Sequence, residues 1–189
     1  MGDGGVGRET LREEILRKEP LFEGALIRVE RWQVRLPDGS SAQREVVAHP
    51  GAAAVVAVDA FGLVALVRQH RPVVDELTLE IPAGKLDHPR EDPLACARRE
   101  LLEETGLAAA HWQLLAAVHT TPGFCNERIS LYLATGLTQG ETRPDADEFL
   151  RVERMPLKEA VGRVLGGELC DGKTALGLLM ADRILGGTI

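Results

Sequence analysis

The sequence predicts an α/β fold in which a mixed sheet is sandwiched between helices. Three observations lead to this prediction: apolar strand patterns occur both before and after one central helix, that helix lies between Pro93 and Gly106, and two amphipathic helical patterns close the chain. With 189 residues, the chain is long enough for one domain with a substantial core and a small appendage.

The N-terminal part of the chain predicts this appendage. Residues 1–19 are expected to be flexible or to form a short helix, since glycine dominates the first seven positions and residues 10–18 have the composition of a short, charged helix. Residues 26–36 and 42–48 alternate like two strands of a hairpin around a Pro-Asp-Gly-Ser turn. Because a lone hairpin is marginal in water, we expect an N-terminal β subdomain at residues 20–50 that packs on another surface.

The remaining patterns define a second domain at residues 51–189. Strands are predicted at residues 52–58, 63–69, 77–81, 112–121, 129–135 and 149–154. Amphipathic helices are predicted at residues 157–165 and 173–185. Strands on both sides of the central helix, followed by two helices, are typical of helices packed on both faces of a mixed sheet.

The central helix has clear end signals. Asp92 suits the N-cap, Pro93 suits the first helical position, and Gly106 suits the residue just beyond the C-terminus. Before the helix, Pro82 and Gly84 bracket a sharp turn that presents the Ala83 carbonyl inward as a neutral oxygen ligand.

Three glutamates crowd the C-terminal turns of this helix. Glu100 and Glu104 are like charges at i,i+4, which destabilises a helix by about 0.2–0.5 kcal/mol. Together with Glu103 they share roughly a 100° arc of one face, at the end where the macrodipole disfavours anions. Convergent carboxylates indicate a hard divalent cation. The competing interpretation is an ordinary solvated glutamate face.

The composition excludes several classes of function. A formal net charge of −7, with no basic run, argues against a nucleic-acid partner. The three cysteines are odd in number and form no C-x-x-C pattern, so neither a disulfide framework nor a zinc site is indicated. No apolar run reaches 18 residues and no apolar leader is present, so we expect a cytoplasmic protein without a membrane partner.

Residues 84–107 resemble the Nudix box. The segment contains Gly84, then Glu91, then Arg-Glu-Leu-Leu-Glu-Glu-Thr-Gly-Leu at residues 99–107. Six residues rather than five separate Gly84 from Glu91, so the loop carries a one-residue insertion.

Flanking motifs narrow the resemblance to the ADP-ribose pyrophosphatase branch of the Nudix hydrolases. They lie at residues 67–72, 79–84 and 121–127, although Asn126 stands where the branch usually has Asp and Cys125 replaces a common Ser or Thr. The resemblance implies a Nudix-type α/β/α sandwich with a mixed sheet, plus an N-terminal antiparallel hairpin or sheet used in dimerisation.

The resemblance also implies metal-dependent hydrolysis of the ADP-ribose pyrophosphate to AMP and ribose 5-phosphate. The backbone of Ala83, with Glu100 and Glu104, would bind Mg²⁺ or Mn²⁺, and Glu103 would ligate a further ion, giving two or more ions per site. Arg99 would hold the glutamates in place. Glu148 is the candidate general base, and its alternative is a solvated acidic loop.

Substrate contacts follow from the same resemblance. Arg71 would reach a phosphate, or else be a surface arginine at a strand end, and Glu80 would lie on the substrate side. In the homodimer, residues of one hairpin would complete the partner's adenine pocket. The candidate substrate-binding residues are Leu26, Arg44, Glu45, Arg71, Glu80, Gly123 and Glu127.

Two other functions stay open at this stage. The first keeps the chemistry but widens the substrate to other nucleoside diphosphate sugars or dinucleotides. The second is a non-catalytic Nudix module that senses a nucleotide. Such sensors usually lose the box glutamates, whereas Glu100, Glu103 and Glu104 are present here.

Overall fold

The chain forms two compact units in the computed structural model. The structure describes residues 11–88, 90–140 and 149–186. The smaller unit comprises the chain up to His49 together with Thr120–Glu127, and the larger comprises Pro50–His119 and the chain from Arg128 onward. The disorder predicted for the first seven residues falls outside the described residues.

The smaller unit contains a three-stranded antiparallel sheet in the order β1-β2-β3. Its strands are β1 (Glu14–Glu23), β2 (Arg28–Arg35) and β3 (Ser41–Ala48). The predicted hairpin is therefore present, but the helix predicted at residues 10–18 is wrong, because most of that segment belongs to β1.

Cross-strand pairing explains the correction. Charged residues that suggested a helix have partners on β2: Arg35 donates to Glu14 at 2.7 Å, and the Lys18 ammonium lies 4.1 Å from the Trp32 ring centroid. A helix of about nine residues is marginal in water, whereas a third strand satisfies the free backbone groups of β2. Tertiary pairing therefore overrides the local preference.

The larger unit contains a seven-stranded sheet and three helices. Its strands are β4 (Ala52–Val58), β5 (Leu63–Arg71), β6 (Glu76–Glu80), β7 (Ala83–Lys85), β8 (Leu107–His119), β9 (Arg128–Gln139) and β10 (Leu150–Pro156). Its helices are α1 (Pro93–Thr105), α2 (Leu157–Leu165) and α3 (Gly172–Leu185). Among the described residues, no helix combines the length and apolar character that a membrane crossing requires.

The sheet is mixed, as the sequence predicted. Its main order is β10-β5-β4-β9-β8, with β6 beside β5 and β7 beside β4. The β4–β9 pair is parallel and the other pairs in this sheet are antiparallel.

The central strand β4 separates two cores. All seven of its residues are buried, and successive side chains point to opposite faces. Val56 and its even-numbered neighbours pack with α2 and α3, including Ala160 and Leu178. Val55 and its odd-numbered neighbours pack with α1, including Leu101. The predicted α/β/α sandwich is confirmed.

The sequence did not predict strand β7, and it predicted strand β8 to begin too late. The short strand β7 occupies part of the predicted turn and pairs with β4. Strand β8 begins at Leu107, five residues before the predicted start at Trp112, because the chain enters the sheet directly after α1 and pairs with an extended β9. Three alanines at residues 108–110 gave no local strand signal, so the partner strand decides this start.

Candidate active site

The ends of α1 are capped as predicted. The Asp92 carboxylate accepts a hydrogen bond from the Leu94 amide at 3.2 Å, and Pro93 follows at the first position. At the other end, Gly106 has φ 68° and donates its amide to the Leu102 carbonyl at 2.8 Å. These caps fix the two ends of α1 and therefore the positions of the three glutamates in its last turns.

Two of the three glutamates are buried where α1 meets β7. Glu100 is 8% exposed and Glu104 is 3% exposed, whereas Glu103 is half-buried. The Glu100 carboxylate lies directly against the Cα of Gly84, so that a Cβ at position 84 would overlap it. A glycine at this position therefore makes room for a carboxylate.

Strand β7 is also hydrogen bonded to the helix. The Ala83 amide donates to Glu104 Oε2 at 3.2 Å, and Ala83 pairs with Ala54 of the central strand. The structure thus brings together Ala83, Glu100 and Glu104, three of the four residues that the sequence nominated as metal ligands.

Arg99 connects the helix, the glutamates and the loop. Its Nη1 donates to Glu100 Oε1 at 2.6 Å and to Glu103 Oε2 at 3.1 Å, while Nη2 donates to the Lys85 carbonyl at 3.2 Å. Burial works against the charge of Arg99, but the adjacent Glu100 carboxylate outweighs this and raises the pKa of the guanidinium. Arg99 is thus a fixed positive charge between two carboxylates.

The one-residue insertion leaves Glu91 connected to this group. The Glu91 carboxylate accepts a hydrogen bond from the Asp87 amide at 2.6 Å and lies 3.7 Å from Arg99 Nη2. The longer loop is therefore closed on itself by Glu91, which still reaches the arginine of the box.

The donor set suits a hard divalent cation. The buried Glu100 carboxylate lies against Gly84, the buried Glu104 carboxylate accepts from the neighbouring Ala83 amide, and oxygen donors are what Mg²⁺ prefers. Within the part of the chain that the structure describes, no three His, Cys, Asp or Glu side chains form a ready-made metal-binding group. Mg²⁺ is commonly bound by one or two carboxylates together with substrate phosphates.

A second charged network surrounds Glu80, which is only 2% exposed. Arg71 binds its carboxylate in a bidentate fashion, with both N–H···O distances at 2.8 Å. The Thr78 hydroxyl donates to Oε1 at 2.6 Å, and the Lys173 ammonium contacts Oε2. Arg71 and Glu80, which the sequence proposed as substrate contacts, are therefore paired with each other.

The environment keeps Glu80 ionised. Burial alone would raise its pKa, but the hydrogen bonds from Arg71 and the charge of Lys173 outweigh burial and lower the pKa to about 2. The hydrogen bonds to Glu80 raise the pKa of Arg71, and the negative charge of Glu104 adds to this shift. Arg71 therefore interacts electrostatically with a glutamate of the Nudix box.

Glu80 makes the stability of the fold depend on pH in a defined direction. Because its folded-state pKa of about 2 lies below the usual 4.5, its contribution is complete above pH 4.5 and is lost as the pH falls towards 2. We expect urea titrations to show the largest difference in unfolding free energy between wild type and Glu80→Gln near neutral pH, shrinking below pH 4.5. The exposed Glu168→Gln is the control. A constant difference over this range would contradict the assignment.

Sequence analysis missed Lys173 and Asp171 in this network. Lys173 pairs with Glu80 and also with Asp171 Oδ2 at 3.0 Å. The local signal was only an N-cap aspartate before a helix, and the partner Glu80 lies 93 residues away. Such a contact requires the tertiary structure.

The other predicted substrate residues lie in the smaller unit. Leu26 is 51% exposed, Arg44 of β3 pairs with Glu13 at 2.5 Å, and Glu45 is exposed on the same strand. Gly123 and Glu127 lie in the 120–127 segment, where Thr120 Oγ1 donates to the Glu127 carboxylate at 2.8 Å. Their substrate roles stay predictions.

The predicted general base, Glu148, lies outside the described residues. Its acidic neighbours Asp145 and Asp147 do as well. The role of this segment therefore stays a prediction from the sequence.

Comparison with known proteins assigns the family. The NUDIX domain model matches residues 48–173, which is more than half of the chain and includes the β7 loop, α1 and the Glu80 network. The chain therefore belongs to the Nudix family, and it is a Nudix hydrolase. Proteins of this family generally use divalent metals, in keeping with the glutamates at the end of α1.

The relatives are more specific. ADP-ribose pyrophosphatases of Mycobacterium tuberculosis and Bacillus subtilis are each 40% identical to this chain, covering 92% and 88% of it and 85% and 91% of the respective relative. A methanol dehydrogenase activator of Bacillus methanolicus is 37% identical, covering 89% of this chain and 91% of its own. A crystal structure of an ADP compounds hydrolase has a TM-score of 0.81 at 23% identity, covering 94% of this chain and 96% of that chain, which shows the same fold.

Proposed function

We propose that this Nudix hydrolase cleaves the pyrophosphate of ADP-ribose to AMP and ribose 5-phosphate in a reaction that requires Mg²⁺ or Mn²⁺. The observation that carries the proposal is the 40% identity to two ADP-ribose pyrophosphatases over about nine tenths of the chain. The buried glutamates beside Gly84 support it, because a hydrolase of this kind needs a divalent metal at the diphosphate.

Four residues are proposed to hold the metal. Glu100 and Glu104 would act as carboxylate ligands, the Ala83 backbone as a neutral ligand, and the half-buried Glu103 as the ligand of a further ion. When bound, the metal supplies charge neutralisation at the diphosphate and a lower pKa for the attacking water. Arg99 would keep Glu100 and Glu103 in orientation, as its hydrogen bonds to both suggest.

Arg71 and Glu80 are proposed to act together at the diphosphate. Arg71 would contact a phosphate oxygen directly, because its side chain is 43% exposed. Its guanidinium is also close enough to Glu104 for that carboxylate to contribute to its raised pKa, which puts Arg71 near the proposed metal ligands. Both oxygens of Glu80 already have partners in Arg71, Thr78 and Lys173. We therefore propose that Glu80 orients Arg71 and does not itself contact the substrate.

A substrate panel tests the proposed function. With saturating Mg²⁺, phosphate release after phosphatase coupling should be fastest for ADP-ribose among ADP-ribose, GDP-mannose, UDP-glucose, NADH and diadenosine polyphosphates. In a separate reaction without the phosphatase, AMP and ribose 5-phosphate should appear in equal amounts. A higher kcat/KM for a nucleotide sugar or a dinucleotide would favour the broader pyrophosphatase, and no hydrolysis of any compound would favour a sensor.

We further propose that Glu148 is the general base. Glu148→Gln should then lower kcat while leaving the metal affinity and the KM for ADP-ribose nearly unchanged, because a base acts chiefly in the transition state. It should also flatten the acid limb of the pH–rate profile. Glu100→Gln should instead weaken metal binding and be partly rescued at high Mg²⁺.

Neighbouring carboxylates serve as controls for that assignment. Asp145→Asn and Asp147→Asn should retain both kcat and the acid limb. If Glu148→Gln keeps full kcat while Glu103→Gln abolishes the acid limb, the base lies on α1 and the loop assignment is wrong.

We also propose that the active unit is a homodimer formed through the N-terminal β subdomain, predicted at residues 20–50 and extended by β1 to Glu14, with the Nudix domain at 51–189. All ten residues of the edge strand β1 are exposed, and Ile15, Leu21 and Phe22 on it are 43–57% exposed. An exposed edge strand with apolar side chains favours pairing with another chain. Leu26, Arg44 and Glu45 would complete the partner's adenine pocket, with Gly123 and Glu127 contributing to substrate binding.

Assembly and activity should fail together if the pocket is shared. Deletion of residues up to Pro50 is expected to abolish the dimer, measured by size exclusion with light scattering, and to raise the KM for ADP-ribose strongly. The milder Phe22→Asp is expected to weaken the dimer with the chain still folded by circular dichroism. An active wild-type monomer at micromolar concentration would contradict the shared pocket.

A further inference from the structure

The first turn of α3 is hydrogen bonded to the segment that immediately precedes the β7 loop. The Thr174 hydroxyl accepts a hydrogen bond from the Ile81 amide at 2.9 Å, and Thr174 is fully buried. Asp171 caps the helix by accepting from the Thr174 amide at 2.9 Å. The adjacent Lys173 points the same way, towards Glu80. Helix α3 is thus attached to residues 80–81, immediately before the β7 loop.

Lys173 is held between two carboxylates. Its side chain is only 12% exposed, and its ammonium contacts Glu80 Oε2 and lies 3.0 Å from Asp171 Oδ2. Few lysines are buried to this extent unless they are paired. The Glu80 carboxylate in turn has a partner on each side, with Thr78 on Oε1 and Lys173 on Oε2, so its plane cannot rotate freely.

The orientation of this carboxylate decides the orientation of Arg71. The guanidinium binds it through Nε and Nη2, a two-point geometry that fixes the plane of the group. Among the described residues, no hydrogen bond involves Arg71 Nη1, and the side chain is 43% exposed. Both N–H groups of Nη1 therefore remain for a ligand, besides the second N–H of Nη2, and their direction is set by Glu80.

We propose that Lys173 is a positioning residue for Arg71: by holding the Glu80 carboxylate, it aims the free donors of Arg71 at the diphosphate of the substrate. The inference rests on the proposed function, in which Arg71 contacts that diphosphate. Without the ammonium, Glu80 keeps Arg71 and Thr78 as partners but loses one of the two contacts that restrict its rotation, and the guanidinium plane follows. Small misplacements of such binding groups have large kinetic costs.

Kinetics with ADP-ribose test the chain of contacts. Lys173→Met should lower kcat/KM about tenfold, chiefly through KM, and Lys173→Arg should restore most of the loss because it returns the positive charge. Once Arg71 is changed to Met, the added Lys173→Met should cost nothing further, since residues acting through one group are not additive. Equal losses from Lys173→Met in the presence and absence of Arg71 would overturn the proposal.

A matched control separates this role from a general effect on α3. Lys158 forms an exposed pair with Asp182 of the same helix at 3.0 Å, away from Glu80. Lys158→Met removes another lysine–carboxylate pair of α3, at an exposed position, and should leave KM and kcat unchanged. If it lowers kcat/KM as much as Lys173→Met does, the effect comes from loosening the helix and the proposal fails.

A nuclear magnetic resonance measurement is independent of substrate. In the wild type, the Arg71 Nε–H group donates to a buried carboxylate, so its proton should exchange slowly with water and give a resolved signal. Lys173→Met should speed this exchange at least about tenfold while circular dichroism stays native. Unchanged exchange would overturn the proposal even if the kinetics changed.

The same measurement covers two further outcomes. If Lys173→Met does not fold, the exchange of the Arg71 Nε–H proton is compared between the wild type and Lys173→Gln. This variant keeps a polar group but removes the charge, and unchanged exchange in it would overturn the proposal. A wild-type signal that exchanges as fast as an exposed arginine would overturn the proposal. If the wild type fails to hydrolyse ADP-ribose while Lys173 still controls the Arg71 signal, the proposed function is wrong and the positioning role stands.

Discussion

Glu104→Gln is expected to lower kcat by roughly a hundredfold or more, about 3 kcal/mol in the transition state, while the fold stays intact. The change keeps the size of the side chain and an oxygen that accepts the Ala83 amide, so the contact between α1 and β7 survives. It removes one buried anionic oxygen that is proposed as a metal ligand, and the remaining amide is a poor substitute for a carboxylate at a hard cation. The measurement is kcat with ADP-ribose in saturating Mg²⁺.

Stability and a distant glutamate serve as controls for this variant. Relieving the like-charge pair Glu100 and Glu104 should leave the free energy of unfolding, measured in buffer with a chelator, equal or slightly raised. Glu159→Gln removes an exposed helical glutamate that pairs with Arg163 at 2.7 Å, and it should keep full activity. Near-wild-type kcat of Glu104→Gln in saturating Mg²⁺ would exclude Glu104 as a metal ligand.

Gly84→Ala is expected to lower kcat by a factor comparable to that of Glu104→Gln, for a steric reason. A Cβ at position 84 would overlap the Glu100 carboxylate, which is buried and tied to Arg99 at 2.6 Å. Either the carboxylate turns away from the site or β7 moves, and both displace proposed metal ligands. Overpacking of this kind costs about 1–3 kcal/mol of stability, so the variant should fold with a lower melting temperature.

A second glycine provides the matched control. Gly162 in α2 has no heavy atom within 4 Å of the Cβ it would gain. Gly162→Ala should therefore keep kcat and raise the stability by about 0.5–1 kcal/mol, because alanine is the better helix former. If Gly84→Ala retains full kcat at saturating Mg²⁺, the close approach of Glu100 to residue 84 is not required for activity.

Local sequence signals were sufficient to place the ends of α1 and the three glutamates on it. The caps of α1 depend on single residues with well-defined chemistry, and both Asp92 and Gly106 act as predicted. The locally unfavourable glutamates at its C-terminal end marked the position of the proposed metal site. Their spacing along a helix fixes their mutual placement, since helix geometry is the same in every protein.

Elements that depend on distant partners could not be predicted in the same way. Residues 10–18 have the composition of a charged helix, but pairing with β2 makes most of them part of a strand. Strand β8 begins at Leu107 although alanines follow, because β9 offers hydrogen bonds along its whole length. A strand is stabilised by its pairing with a partner strand, and the local sequence does not show which partner is available.

The sequence by itself determined the α/β class of this protein, the ends of α1 and the face that carries Glu100, Glu103 and Glu104. These follow from interactions within a few residues, whose energies are set by local geometry. Only the tertiary structure decided that Gly84 makes room for Glu100 and that Lys173 contacts Glu80 across 93 residues. Such contacts form only when packing has brought remote segments together, because charge and shape complementarity at a distance leave no periodic signal along the chain.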